Sequence, residues 1–187
     1  EGENVIVAKD KAGNVTEVVY VKDTKAPVAK SMAMSGGNLY KENGKVMWYV
    51  TNGSYIYVNL HFTEKLAVAP IVKLNGTVEA KLGTVKDNGD VVIYSYSYKL
   101  NKEDGLKNGL VSVEVSGYAD NAGNVGEVLT NENITLASQK YVVIDKTPVE
   151  IKLVDGTIGT DPYSKLNVKL YDANGVESVV INGNKLP

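Results

Sequence analysis

The sequence predicts an all-β protein whose core is an antiparallel β-sandwich. The 187-residue chain is rich in Val, Thr and Tyr, residue types that favour strands over helices. Apolar and polar side chains alternate along several short segments, as in a strand with one buried and one exposed face. Clusters of Gly, Asn and Asp separate these segments, so tight turns are expected between neighbouring strands.

The first predicted hairpin lies near the amino terminus. Its strands are Asn4–Ala8 and Val15–Val21, and the turn Lys9–Asn14 between them contains Gly13. Glycine adopts positive φ at low cost, as a tight turn requires. Pro27 follows, and because proline has no N–H to donate, we expect the ladder to end before it.

The segment Ser54–Phe62 alternates most regularly along the chain. One face carries Ile56, Val58, Leu60 and Phe62, and the other carries Tyr55, Tyr57, Asn59 and His61. This period of two predicts a half-buried strand whose apolar face lines the core.

Further strands are predicted in the central part of the chain, at Lys45–Val50, Ile71–Leu74, Thr77–Leu82, Val91–Leu100 and Leu110–Tyr118. Asn75-Gly76 is a strong signal for a hairpin turn, because both residues tolerate positive φ. The charged segment Asn101–Asn108 is expected to be a loop, with a helical turn at Glu103–Leu106.

The sequence repeats itself at a spacing of 110 residues. Asp10–Val18 and Asp120–Val128 are identical at seven of nine positions. Ser54–Leu60 is similar to Ser164–Leu170 at the same spacing, and Tyr20–Val28 is similar to Tyr141–Val149 at a slightly longer one. A repeat of this length fits one β-sandwich domain of about 100 residues.

The phase of the repeat predicts three parts: residues 1–26 as the last strands of one unit, 27–147 as a complete unit, and 148–187 as the first strands of another. Only the middle part is long enough to bury a core, since isolated hairpins are marginally stable in water. We therefore expect the two partial units to complement each other, within one chain or head-to-tail between chains.

The D-x-A-G-N-V turn followed by D-x-T-x-A-P or D-K-T-P resembles the tandem bacterial immunoglobulin-like domains of surface proteins. Asn52–Glu64 is similar to the second strand of that family. The resemblance implies an Ig-like fold, with the turn joining the last two strands and the proline segment forming the seam between domains. It also implies a spacer or stalk in an adhesin, surface-layer protein or extracellular enzyme, extracellular or at the cell surface, typical of Gram-positive bacteria.

Composition excludes several classes of function. The chain has no Cys or Arg and a single His, His61, so cysteine nucleophiles, two-histidine metal sites and bidentate arginine clamps are impossible. A net charge of −2 argues against nucleic acid as a partner, and no apolar run is long enough for membrane insertion. His61 is expected to be a surface residue. We predict a non-catalytic protein without a cofactor, whose partners are neighbouring Ig-like domains of the same protein.

The alternative function is a carbohydrate- or protein-binding module, with a saccharide or a host protein as partner. Aromatic side chains offer large contact area at low entropic cost. The candidate platform consists of Trp48, Tyr55, Tyr57, Tyr94, Tyr96 and Tyr98. The competing interpretation is that tyrosine is simply a good strand former.

The candidate metal is calcium, held at the repeated turns and seams. Its candidate ligands are Asp10, Asp23, Asp120 and Asp145, in the repeated turns and seams. Calcium needs six to eight oxygen ligands, and the acids here are sparse. The competing interpretation is that each aspartate caps its own turn through backbone N–H groups.

Overall fold

The structure is a computed structural model that describes residues 2–42, 44–154 and 167–186. The chain divides into two compact units, residues 1–144 and 145–187. The predicted boundary after residue 26 falls inside the first unit, and the three-part division stays a prediction.

The larger sheet of the first unit has seven strands. In spatial order they are β12 (Leu129–Thr130), β11 (Val113–Ser116), β7 (Ile71–Leu74), β8 (Val78–Asp87), β9 (Val92–Lys99), β6 (Tyr55–Phe62) and β3 (Ala29–Gly36). All neighbouring pairs are antiparallel.

The smaller sheet has four strands. In spatial order they are β10 (Gly109–Leu110), β13 (Tyr141–Ile144), β5 (Lys45–Val50) and β4 (Asn38–Glu42). The β13–β5 pair is parallel, whereas its two neighbours are antiparallel. Short 3₁₀ turns at Asn131–Asn133 and Ala137–Gln139 precede β13.

One core of buried side chains joins the two sheets. The regular alternation of β6 buries Ile56, Val58, Leu60 and Phe62 completely, as predicted. Val50, Val142 and Ile144 come to the same core from the smaller sheet. The fold is therefore all-β and consistent with a β-sandwich, which confirms the predicted fold class at that level.

A hairpin precedes this core within the first unit. Its strands are β1 (Gly2–Lys9) and β2 (Val15–Lys22). Asn4 pairs with Tyr20, and 110 residues further along Glu114 pairs with Thr130. The β1–β2 hairpin therefore has the register of β11–β12, which gives the sequence repeat a structural counterpart.

The second unit contains two small antiparallel pairs. β14 (Glu150–Leu153) pairs with β15 (Val168–Tyr171), and β16 (Val180–Ile181) pairs with β17 (Asn184–Lys185). Residues 164–166 of the third sequence repeat lie outside the described residues.

Two local features differ from prediction. The helical turn expected at Glu103–Leu106 is wrong: the Asp104 carboxylate accepts hydrogen bonds from the Asn101 and Leu106 N–H groups and holds a loop. A short acidic side chain competes in this way with helical bonding. Strands β3 and β4 are also absent from the prediction, because β3 consists mainly of Ala, Ser, Met and Gly, and β4 contains Asn, Lys and Glu, residue types with little β preference.

Candidate functional site

The candidate site is the outer face of the larger sheet, on strands β3, β6 and β9 and on Lys81–Lys86 of β8. We call this surface the tyrosine face. It carries Ser31, Ala33, Ser35, Tyr55, Tyr57, Asn59, His61, Lys81, Thr84, Lys86, Ile93, Ser95, Ser97 and Lys99. Because the core side of β6 is fully buried, its alternate residues must point to this side.

Small side chains surround the tyrosine nearest the centre of this face. Tyr57 pairs with Ser35 on β3 and with Ser97 on β9. One row further along, Asn59 pairs with Ala33 and Ser95. Neighbours of this size cover little of the tyrosine side chain, and Tyr57 remains 44 % exposed.

Tyr57 and Tyr55 form a stacked pair at one end of the face. Their ring centroids are 5.9 Å apart and the ring planes differ by 18°. The Nζ atom of Lys99 lies 5.7 Å from the centroid of the Tyr55 ring, within the range of a cation–π contact. The pair thus presents aromatic surface beside a fixed positive charge.

A β-bulge brings β8 into this arrangement. The register with β9 shifts between Leu82 and Thr84, so Gly83 is an extra residue in the ladder. As a result Thr84 lies opposite Ser95, and Lys86 lies opposite Ile93, on the outer side. If Gly83 instead paired opposite Ser95 in a regular ladder, Thr84 and Lys86 would point towards the core.

Most predicted platform residues do not reach this face. Tyr94 and Tyr96 are only 3 % exposed, so their predicted exposure is wrong. The Tyr94 hydroxyl accepts a hydrogen bond from the Leu66 N–H at 2.8 Å, and the Tyr96 hydroxyl donates to the Pro70 carbonyl at 2.5 Å. Both tyrosines are therefore parts of the core, and burial raises the pKa of Tyr96 well above its ordinary value.

The other two predicted residues are also separate from the tyrosine pair. Tyr98 shares the inward side of β9 and packs against the core, where burial followed by the charge of Asp104 raises its pKa. Trp48 lies on the smaller sheet and donates from Nε1 to the Ser138 carbonyl at 2.9 Å. Only Tyr55 and Tyr57 of the predicted platform occur together on an exposed surface.

The two repeated aspartates each organise a turn. The Asp120 Oδ1 atom accepts hydrogen bonds from the Ala122 and Asn124 N–H groups, and its Oδ2 atom accepts from Asn124 Nδ2 at 2.8 Å. Asp10 makes the same three contacts in the first hairpin. These hydrogen bonds, led by the bond from the asparagine side chain, lower the pKa of each carboxyl.

The seam aspartates have comparable local contacts. Asp23 Oδ1 accepts from the Lys25 N–H, and Asp145 Oδ1 accepts from the Thr147 N–H. Glu64 has a raised pKa because of partial burial and then the charges of Asp120 and Asp23. Among the described residues no three acidic or histidine side chains are placed to hold a metal ion.

Asp120 is expected to make folding sensitive to acid. Its folded-state pKa lies below the ordinary value of 3.8, so its contribution to stability is present above that pH and is lost as the pH falls through the lowered pKa. We expect Asp120→Asn to lower the urea midpoint at neutral pH and to flatten its decline in acid.

The matched control is Asp10→Asn, which removes the same charge from the same kind of turn. Asp120 is 2 % exposed and adjoins the core, whereas Asp10 lies in the exposed hairpin. Asp10→Asn should therefore leave the midpoint of the main transition unchanged at every pH. Equal effects of the two substitutions would contradict a special role for the buried turn.

These observations define an all-β protein with an exposed aromatic and hydroxyl-rich sheet face. No family model matches the chain, and neither the curated proteins nor the solved structures contain a significant match. In the part of the chain that the structure describes, no helix has the length and apolar character required to cross a membrane.

Proposed function

We propose that the chain is a non-catalytic spacer region of a bacterial extracellular or cell-surface protein, built from Ig-like units in series. One observation carries this proposal. The turn at Asp10–Asn14 and the turn at Asp120–Asn124 have the same hydrogen bonds, and the strands that they join have the same register. A unit that recurs in sequence and in backbone pairing is typical of an array.

The seams recur with the turns. Asp23 precedes Pro27 and Asp145 precedes Pro148, and each aspartate accepts a hydrogen bond from the N–H two residues later. Proline fixes its own φ and restricts the residue before it, so such a connection has reduced freedom to bend. Limited bending at each seam supports a spacer role, in which the array keeps the protein regions at its two ends apart.

Neighbouring Ig-like units of the same protein are the proposed partners. The β1–β2 hairpin is apolar on both faces, and eight of its apolar side chains are about half exposed or more: Val5, Ile6, Val7, Val15, Val18, Val19, Tyr20 and Val21. At roughly 100 Å² each they amount to about 800 Å², the area that each partner buries in a standard interface. The adjoining unit, or another copy head-to-tail, would cover this surface.

The strand pairing of the first unit suits a spacer under tension. The parallel β5–β13 pair joins an early strand to the last one, from Tyr141 opposite Met47 to Ile144 opposite Val50. Tension that enters through β3 and β4 pulls β5 from its amino end, and tension through the segment after β13 pulls β13 from its carboxyl end. Because the two strands are parallel, they are pulled along their axes in opposite directions. The ladder bonds must then break together, whereas the open ends of the β1–β2 hairpin, Gly2 and Lys22, separate one pair at a time.

Single-molecule force spectroscopy tests the spacer proposal. With the chain held at residues 1 and 187, we expect one dominant unfolding event that releases roughly 400 Å, at about 3.4 Å for each residue from 27 to 144. The hairpin should extend earlier and at lower force. Unfolding in many small steps, or extension without a force peak, would contradict a role in resisting tension.

A cysteine pair supplies the control, because the chain has no cysteine of its own. Tyr49→Cys with Val143→Cys places two thiols on paired residues of β5 and β13. When oxidised, this variant should lose most of the 400 Å release, and reduction should restore it. The control assigns the main event to the first unit.

A further inference from the structure

We propose that the tyrosine face binds an acidic polysaccharide, a chain of sugars that carry carboxylate groups. Its contact surface is the Tyr55–Tyr57 pair, its hydrogen-bonding groups are the serine and asparagine side chains beside Tyr57, and its charge comes from Lys81, Lys86 and Lys99. This binding role is separate from the spacer role, and either proposal can fail without the other.

The tyrosine pair is suited to stacking against sugar rings. The two rings stack along β6, nearly parallel, with centroids 5.9 Å apart. Tyr55 is 42 % exposed and Tyr57 is 44 % exposed. The exposed parts of both rings offer an aromatic surface against which the apolar faces of sugar rings can pack. Aromatic side chains supply such contact at low entropic cost.

The polar side chains around the pair are available to a ligand. Within the part of the chain that is described, the side chains of Ser35, Asn59, Ser95 and Ser97 make no hydrogen bond to another residue. They are half-buried on the outer side of the sheet, so their rotation is restricted while their hydroxyl and amide groups face outwards. Polar groups in fixed positions beside an aromatic surface determine the orientation of a bound ligand.

Charge indicates an acidic ligand. The tyrosine face carries Lys81, Lys86 and Lys99 and, among its residues, no Asp or Glu. Two acids flank these lysines along β8: Glu79 pairs with Lys73 on the neighbouring strand, and Asp87 accepts a hydrogen bond from the Gly89 N–H. The complete chain has a net charge of −2, so this excess of positive charge is local. A surface of one sign raises the local concentration of an oppositely charged ligand.

Isothermal titration calorimetry tests the proposal with two hexasaccharides. Alginate hexasaccharide carries a carboxylate on every sugar, and maltohexaose has the same length without charge. We expect the alginate to bind and to bind more weakly as salt increases, and the maltohexaose to bind at least about tenfold more weakly. No heat from alginate, or equal affinity for both, would overturn the assignment.

Three variants separate stacking from charge. Tyr57→Ala should weaken alginate binding by about tenfold or more, and Tyr57→Leu should do the same while preserving an apolar strand residue. Lys81→Gln with Lys86→Gln should weaken it several-fold and reduce its salt dependence. Tyr20→Ala, an equally exposed tyrosine on the hairpin, is the matched control and should change nothing.

Two further results would overturn the proposal. If Tyr57→Leu keeps the wild-type affinity, the sugars do not stack on the pair. If a polyglutamate peptide binds in a Tyr57-dependent way and alginate does not, the face is a protein-binding surface. Far-ultraviolet circular dichroism of each variant establishes that the fold is retained.

Discussion

Replacing Gly126 by alanine is expected to destabilise the first unit by about 3 kcal/mol, at the upper end of the range for overpacked cores. A Cβ atom at this position would overlap the ring of Tyr118. That ring cannot move away easily, because Tyr118 is 1 % exposed and lies 5.1 Å from Phe62 between ring centroids. Its hydroxyl also donates a hydrogen bond to the Glu127 carbonyl at 2.7 Å.

Urea unfolding followed by the fluorescence of Trp48 measures this effect. Gly83→Ala is the matched control, since a Cβ at position 83 would meet only the Ser95 carbonyl oxygen at an ordinary 3.5 Å. It should cost about 1 kcal/mol or less, because neither core packing nor a positive φ is involved.

A double-mutant cycle isolates the cause. In a Tyr118→Ala background the ring is gone, so Gly126→Ala should then cost little. The first hairpin already contains this kind of combination, with Ala8 and Thr16 at the positions that correspond to Tyr118 and Gly126. If Gly126→Ala costs the same in both backgrounds, contact with the Tyr118 ring is not the reason.

The features that sequence predicted well are local ones. The alternation of β6 lies within eight residues, and the repeated turn lies within five, so both depend on neighbours in the chain. The Asp10–Asn14 turn forms in the exposed hairpin and again beside the core at Asp120–Asn124. Its geometry therefore belongs to the sequence D-x-A-G-N rather than to its surroundings.

Predicting the candidate site required information that the sequence of one strand does not contain. Alternation placed Tyr94 and Tyr96 on the same side of β9, which is correct, but it did not say which side is buried. Pairing with β6 decides this, because Tyr96 lies opposite the buried Val58 and Ser97 lies opposite the exposed Tyr57. Long-range pairing of this kind separates the tyrosines of the core from those of the surface.

The bulge in β8 and the order of the strands in the larger sheet were likewise not predicted from the sequence. The predicted strand ends at Leu82, yet β8 continues to Asp87, and its register shift at Gly83 puts Lys86 on the outer face. Lys81 and Tyr57 lie on strands separated by β9 and are brought to one row by the order β8-β9-β6. The charge of the tyrosine face is thus a property of the sheet, not of any one segment.

The different positions of the tyrosines lead to a second large expected effect: Tyr96→Ala should destabilise the first unit by about 3–5 kcal/mol, as for other large buried aromatic residues. Tyr96 is 3 % exposed, and its ring lies between Val58 and Leu82 in the ladder. Tyr57→Ala, at 44 % exposure, should cost about 1 kcal/mol or less and serves as the comparison.

Tyr96→Phe divides the effect of Tyr96→Ala into packing and hydrogen bonding. Phenylalanine keeps the ring and leaves the Pro70 carbonyl without its 2.5 Å partner, at a cost of about 1–3 kcal/mol when no water replaces the hydroxyl. An open groove of about 360 Å³, lined by Ala69, Pro70 and Leu82, adjoins this bond. Water can enter there, so we expect the lower end of that range in urea unfolding. A midpoint for Tyr96→Ala equal to that of Tyr57→Ala would contradict the inward placement of Tyr96, because removing an exposed ring and removing a buried one cannot cost the same.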